Sequence, residues 1–213
     1  MILLTGFEPF GGETVNPSWE AARQAAAILA DEGVAAVAVE LPCVFGASID
    51  VLADAVSAHQ PQLVLCVGQA GGRAEVSLER VAINVDDARI PDNAGNQPVD
   101  DPVRDGGPAA YFSTLPLKRS LQALTEADLP AAVSQTAGTY VCNHVFYGLM
   151  DLLADGNGDA RGGFIHVPFS TGQARAHGAS GMSIGEMARA LVVIARTSAD
   201  AGADLRIAAG AEH

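Results

Sequence analysis

Residues 63–72 read LVLCVGQAGG. An unbroken apolar run closed by glycines is the signature of a strand buried on both faces, which a parallel sheet covered by helices requires. Working back from it, ASIDVLADAVSAHQP (47–61) reads as a helix stopped by Pro61, and VAAVAVELP (34–42) as a strand. PSWEAARQAAAILADEG (17–33) reads as a helix with Asn16 as its cap, Pro17 at its first position and Gly33 past its end. ILLTGF (2–7) is one more strand. This β-α-β-α-β alternation predicts a parallel sheet with right-handed crossovers. The fold class is therefore α/β, a three-layer α/β/α sandwich with a mostly parallel central sheet.

Working forward, AEVSLERVAINVDDARI (74–90) alternates like a strand, and residues 91–108, rich in Pro, Gly, Asn and Asp, read as a long loop. LPLKRSLQALTEAD (115–128) is an amphipathic helix and PAAVSQTAG (130–138) a strand. A helix starts around Cys142, GGFIHVPFS (162–170) is another strand, and TGQARAHGASG (171–181) reads as a polar loop. SIGEMARALVVIARTSADAG (183–202) is the last helix, with Ser183 and Glu186 spaced as a capping box. Residues 205–213 are expected to fray. With no repeat and no linker, residues 1–213 read as one catalytic domain.

Composition narrows the function. Apolar residues make up 49% of the 213, aromatics only 5%, so the core is built from Ala, Val, Leu and Ile. Twelve Lys and Arg face 25 Asp and Glu, a formal charge of −13 with no basic cluster, which argues against a nucleic-acid partner. No run has the length of a membrane span and the start lacks a basic leader, so no membrane partner is expected. Cys43, Cys66 and Cys142 stand at unrelated spacings, which predicts no disulfide framework and a reducing, cytoplasmic setting.

The chemistry centres on AGTYVCNHVFYGLMDLL (137–153). Cys142 follows a strand and a glycine turn and opens a helix in which Val145, Phe146, Leu149, Met150 and Leu153 share a face. A thiolate there is stabilised by free N–H groups and the helix dipole, which should lower its pKa, and the same N–H groups can hold an oxyanion. Against this stands an inert buried thiol, the reading that Cys66 and Cys43 invite. Its base should be a histidine. His144, two residues on, does not face Cys142 on a helix and suits a solvent or capping role. His59, His177 and His213 fall at a helix end, in a loop and at the terminus. His166 remains, at the carboxyl end of the strand after the Cys142 helix, and neighbouring parallel strands would bring the two together. Glu79, Asp86, Asp87 and Asp92 are all candidates for the group that orients it. A Cys142–His144 zinc site has the wrong spacing for a structural ion. The glycines of GQAGGR (68–73) fit neither dinucleotide nor P-loop patterns.

Five segments resemble the pyroglutamyl peptidase I family of cysteine exopeptidases: 3–21, 66–99, 106–112, 131–151 and 161–169. The resemblance implies a triad of Cys142, His166 and Glu79, with Arg89 supporting the oxyanion. It implies a substrate pocket of Phe7, Phe10, Asn16, Gln69, Ile90, Tyr140 and Val141, and peptides with an N-terminal pyroglutamate as partners. It also implies a phosphorylase/hydrolase-like form of the sandwich, no metal or cofactor, and assembly as a homotetramer. The family usually has Phe where Tyr140 stands, so this hydroxyl needs a partner. Residues after Pro168 depart most from the family. Each pocket residue has a plainer explanation: Phe7 and Phe10 as core aromatics, Asn16 as a cap, Arg89 paired with Asp86 or Asp87.

Overall fold

The computed structural model describes residues 1–156, 160–200 and 202–210. Six strands form the central sheet: β1 (Ile2–Phe7), β2 (Ala36–Leu41), β3 (Leu63–Gln69), β4 (Val76–Glu79), β7 (Ala131–Ser134) and β8 (Arg161–Val167). Their order is β2-β1-β3-β8-β4-β7, with every neighbouring pair parallel except β4–β8. Two short strands, β5 (Val81–Ile83) and β6 (Ala110–Phe112), pair antiparallel beside it, and β9 (Phe169–Ser170) pairs with β10 (Gly181–Met182).

Strand alternation divides the interior. Ile2, Leu4, Leu63, Leu65, Val67, Val76, Leu78, Ile165 and Val167 pack under α1 (Pro17–Asp31), α3 (Leu117–Glu126) and α6 (Ile184–Ala199). Leu3, Phe7, Val64, Cys66 and Phe164 point the other way, under α2 (Ala47–His59) and α4 (Val141–Asp155). This is the expected three-layer sandwich. Because side chains alternate with a period of two, Gly68, His166, Ser77 and Glu79 all belong to the α2/α4 face. That face carries the site.

Local signals in the sequence hold. Asn16 caps α1, accepting from the Ser18 N–H, and Gly33 follows it with φ +81°. The Ser183–Glu186 capping box opens α6. The start of α1 lies directly on β1: a Cβ on Gly6 would sit 2.4 Å from Trp19 Cα, and the Phe7 N–H donates to Ser18 Oγ at 3.0 Å. Backbone cannot yield as a side-chain tip can, so Gly6→Ala is expected to destabilise the fold by about 3 kcal/mol, read from the denaturant midpoint.

Two expectations need correction. Residues 171–181 are not simply a loop: Thr171–His177 forms a helix, α5, with a Ser170–Gln173 capping box. The strand before Cys142 is not a parallel neighbour of the one bearing His166. β4 lies between them, antiparallel to β8, so β7 runs away from the site and 135–140 carry the chain back. Residues 205–210, in the end expected to fray, form no helix or strand. Asp204 accepts from the N–H groups of Lys118 and Arg119 at the uncapped start of α3, and Lys118 Nζ meets the Ile207 carbonyl. The last three residues of that expectation, 211–213, lie outside the described ones.

Candidate active site

His166 is held from three directions. In the sheet it pairs with Gly68 on one side and Ser77 on the other, both small enough to leave room for the ring. Phe164, two residues earlier on the same face, packs its ring 5.0 Å from the imidazole. Glu79, two residues beyond Ser77, returns to that face, and His166 Nδ1 lies 2.7 Å from its Oε1. With Nδ1–H donated to the carboxylate, Nε2 keeps its lone pair.

Cys142 is the second residue of α4, in the turn where N–H groups lack intrahelical acceptors, and no side chain caps them. Its sulfur occupies the space over Gly68: a Cβ there would come within 2.8 Å of Sγ. Cys142 is half-buried and lines, with His166, a cavity of about 410 Å³. Phe7, Phe10, Asn16, Gln69, Arg89, Ile90, Tyr140 and Val141 line the same cavity, so the structure assembles every residue that the resemblance assigned to the pocket. Glu79 stands behind His166, fully buried. A larger cavity, about 760 Å³, opens at the other end of the sheet, but no Cys, His, Asp or Glu lines it among the described residues.

The four candidate carboxylates have separate tasks. Glu79 meets His166. Asp86 meets His144 Nδ1 at 2.7 Å, while His144 Nε2 accepts from the Gly46 N–H at 2.9 Å. His144 is 6% exposed, which corrects the expectation of a solvent or capping residue. Both its nitrogens are engaged away from Cys142, so the two do not form a metal pair. Asp92 accepts from the N–H groups of Phe45, Ala94 and Asn96 and organises the long loop. Asp87 is exposed at the cavity rim.

The plainer explanations of Phe7 as a core aromatic and Asn16 as a cap hold alongside the others, whereas Arg89 forms no ion pair with Asp86 or Asp87, and Asp86 is taken by His144. Asn16 is a cap, yet its Nδ2 donates to the Glu8 carbonyl at 2.9 Å and the residue still lines the cavity. The Tyr140 hydroxyl finds its partner in the Pro91 carbonyl at 3.1 Å. Together with the Asp87–Thr139 hydrogen bonds this ties the segment bearing Arg89 and Ile90 to the start of α4. Gln69 Oε1 accepts from Gln173 of α5, whose amide also reaches the Val15 carbonyl, so the divergent segment is fastened to the pocket wall.

Charge within the site departs from expectation at the thiol. Burial, with Cys43 and the Glu79 charge, pushes Cys142 up, while Arg73 opposes this. Burial also holds His166 below its ordinary value, against the pull of Glu79. Both shifts favour the neutral forms of thiol and imidazole. Burial would raise Glu79, but the His166 hydrogen bond and charge, nearby Ser134 and Arg73 outweigh it and keep the carboxyl low. Cys43 and Cys66 are pushed up to about 12 by burial.

Residues missed by sequence reasoning are those whose partners are remote in the chain. Asn143, 1% exposed, accepts from the Ile83 N–H and donates to the Ile83 and Val85 carbonyls, bracing the cysteine's helix. Arg73 Nη1 lies 2.6 Å from Glu79 Oε1. A polar side chain on an otherwise apolar helix face was the available sign for Asn143; a lone arginine in a glycine turn gave none.

An α/β/α sandwich with a thiol, an imidazole and a carboxylate around one cavity at the end of its sheet has the makings of a cysteine-type hydrolase. Comparison with known proteins makes this particular. Residues 1–201 match the family model described as pyroglutamyl peptidase, and the chain belongs to that family. It is 56% identical to the pyrrolidone-carboxylate peptidase of Escherichia fergusonii over all of this chain and 99% of that one. With its Yersinia pestis namesake the identity is 54%, at the same coverage. The crystal structure of pyroglutamyl peptidase I from Bacillus amyloliquefaciens superposes with a TM-score of 0.92 at 48% identity, over 97% of this chain and 98% of that one. Pyrrolidone carboxyl peptidase from Thermococcus litoralis gives 0.88 at 30% identity, over 97% and 98%.

Proposed function

We propose that Cys142, His166 and Glu79 carry out the family's reaction in this chain: removal of an N-terminal pyroglutamyl residue from peptides through a thioester. The observation that supports it best is the 2.7 Å contact between His166 Nδ1 and Glu79, which leaves Nε2 to serve the cavity shared with Cys142. The resting pair is neutral, so the proton leaves Sγ for Nε2 as sulfur bonds to the pyroglutamyl carbonyl carbon. The oxyanion is held by the Cys142 N–H and by Arg89. His166 then protonates the departing amine and the thioester remains. Water, giving a proton to the same Nε2, attacks the thioester; pyroglutamate leaves and the thiol is restored.

Specificity follows from the lactam. It has no α-amine, a flat apolar ring and one N–H and one C=O. Phe7, Phe10 and Val141 suit the ring faces, while Asn16 and the backbone around Gln69 suit the amide edge. Tyr140 and Ile90 close the rim. A prolyl residue lacks the lactam carbonyl and would leave a buried donor unpaired. A prolyl aminocoumarin amide should therefore be cleaved about 10⁴-fold less efficiently than the pyroglutamyl one, compared as kcat/KM. Equal rates on the two amides would overturn this pocket.

We read residues 1–213 as one catalytic domain that works without metal or cofactor. Val99 and Phe112, each 68% exposed, suit self-association as a homotetramer, which light scattering on the purified chain would reveal as four times the monomer mass. A reducing cytoplasm suits an enzyme whose nucleophile must stay a free thiol. No helix among the described residues is long and apolar enough to cross a membrane.

A further inference from the structure

The glycine run GQAGGR (68–73), which matches no phosphate-binding pattern, has a structural task. It ends β3 at Gln69 and turns through Gly72 at φ +92°. The Arg73 N–H closes that turn on the Ala70 carbonyl at 3.3 Å. Gly71 cannot carry a side chain, since a Cβ would meet the Phe169 ring at 2.3 Å. The turn delivers Arg73, which does not line the cavity, to Glu79. Arg73 Nη1 lies 2.6 Å from Glu79 Oε1, the same oxygen that faces His166, and Nη2 donates to the Thr136 carbonyl at 3.2 Å. The Thr136 contact also pins the stretch that returns the chain from β7 to Cys142.

We propose that Arg73 is a positioning residue for this reaction, one that fixes Glu79 and lets His166 remain a neutral base. The inference rests on the reading of Cys142, His166 and Glu79 given above. Its logic is charge balance in a buried site. Glu79 is fully buried and ionised, so it needs one positive charge beside it. Two groups can supply that charge: Arg73, always protonated, or His166, only by taking up a proton. While Arg73 supplies it, the imidazole keeps its Nε2 lone pair for the Cys142 proton. Without Arg73, an imidazolium–carboxylate pair becomes the better neutral arrangement, and protonation of the base reaches to higher pH. The other ionisable or charged groups around this ring are Cys142 and Tyr140 at the start of α4 and Cys43, Asp87 and Arg89 around the cavity. None of these hydrogen-bonds to Glu79, whose charge reaches only the Cys142 thiol among them, and all remain in an Arg73 variant. The direction of His166 agrees, since the Arg73 charge adds to burial in holding it low.

The test is the pH dependence of kcat/KM on a pyroglutamyl aminocoumarin amide for wild type, Arg73→Gln, Arg73→Lys and Cys142→Ala. The wild-type acid limb reports His166 and should fall below the ordinary histidine value of about 6.5. In Arg73→Gln, which can still donate to the carboxylate but has no charge, the acid limb should move up by about one pH unit. Arg73→Lys should keep the limb within roughly 0.3 unit of wild type, with plateau kcat lowered about tenfold, because an ammonium cannot fork to Thr136. An Arg73→Gln limb that coincides with wild type overturns the proposal. Should that variant fail to fold, an acid limb in Arg73→Lys raised by a full unit overturns it instead. If the reading of the site were itself at fault, Cys142→Ala would remain active; an inactive Cys142→Ala with an unmoved Arg73→Gln limb faults Arg73 alone.

Discussion

Cys142→Ala is expected to bring hydrolysis of a pyroglutamyl amide down to the uncatalysed background while the chain keeps its fold. The two halves of this result have different causes. Sγ is half-buried at the first turn of α4, and its removal leaves a gap about one sulfur wide beside Gly68 and Phe164. Such a gap in a partly open site costs on the order of 1 kcal/mol, too little to unfold the domain. Chemistry fails completely because no other group can form the acyl-enzyme. Cys43 lines the cavity, but it is only 4% exposed, whereas Cys142 Sγ lies over Gly68, the strand neighbour of His166. Cys66 is fully buried and equally inert. The circular dichroism spectrum and melting profile should match wild type, and iodoacetamide should block the wild type alone. Residual turnover above a hundredth of wild type would mean that another nucleophile does the work.

Glu79→Gln should lower kcat by about 10³-fold and also cost stability, about 1–3 kcal/mol. The amide has no comfortable orientation. Glu79 Oε1 serves both His166 Nδ1 and Arg73 Nη1, whereas Oε2 is buried without a hydrogen-bond partner. If the glutamine oxygen takes the Oε1 position, its NH₂ becomes an unsatisfied buried donor. If the NH₂ takes it, two N–H donors confront Arg73 and the imidazole must adopt the other tautomer, placing its proton on the nitrogen that should receive one. The stability effect has a pH window. Because Glu79 is held below the ordinary carboxyl value, its contribution is full above the unfolded carboxyl pKa and disappears as pH falls through the folded one. Wild type and variant should therefore converge in stability under acid. A loss of kcat smaller than tenfold, with His166 still required, would remove Glu79 from the orienting role.

What the sequence disclosed follows how local each signal is. The Asn16 cap, Gly33 and the Ser183–Glu186 box are fixed by neighbours a few residues away and appear as read. The alternation of β3 and β8 places Cys66, Phe164 and His166 on one face, which is also a local property. Strand order is not. Nothing within residues 74–83 says that β4 would insert between β8 and β7 and run antiparallel to β8. The expected parallel neighbours thus gave the right convergence of Cys142 and His166 by the wrong route. Two glycines and a length of seven residues concealed α5, whose stability comes from the Ser170–Gln173 box and from contacts with Glu13, Val15 and Gln69. His144 appeared free because its partners, Asp86 and Gly46, lie 58 and 98 residues away. The expected drop in thiol pKa at the helix start omitted burial, which the chain alone could not report.

The most direct test of the account is to trap the acyl-enzyme. Wild-type protein mixed with a pyroglutamyl ester, quenched in acid during turnover and digested, should yield the peptide containing Cys142 with one pyroglutamyl group attached through a labile thioester. The peptides of Cys43 and Cys66 should be unmodified. A burst of substrate cleavage with the acyl group on another residue, or on none, would contradict it.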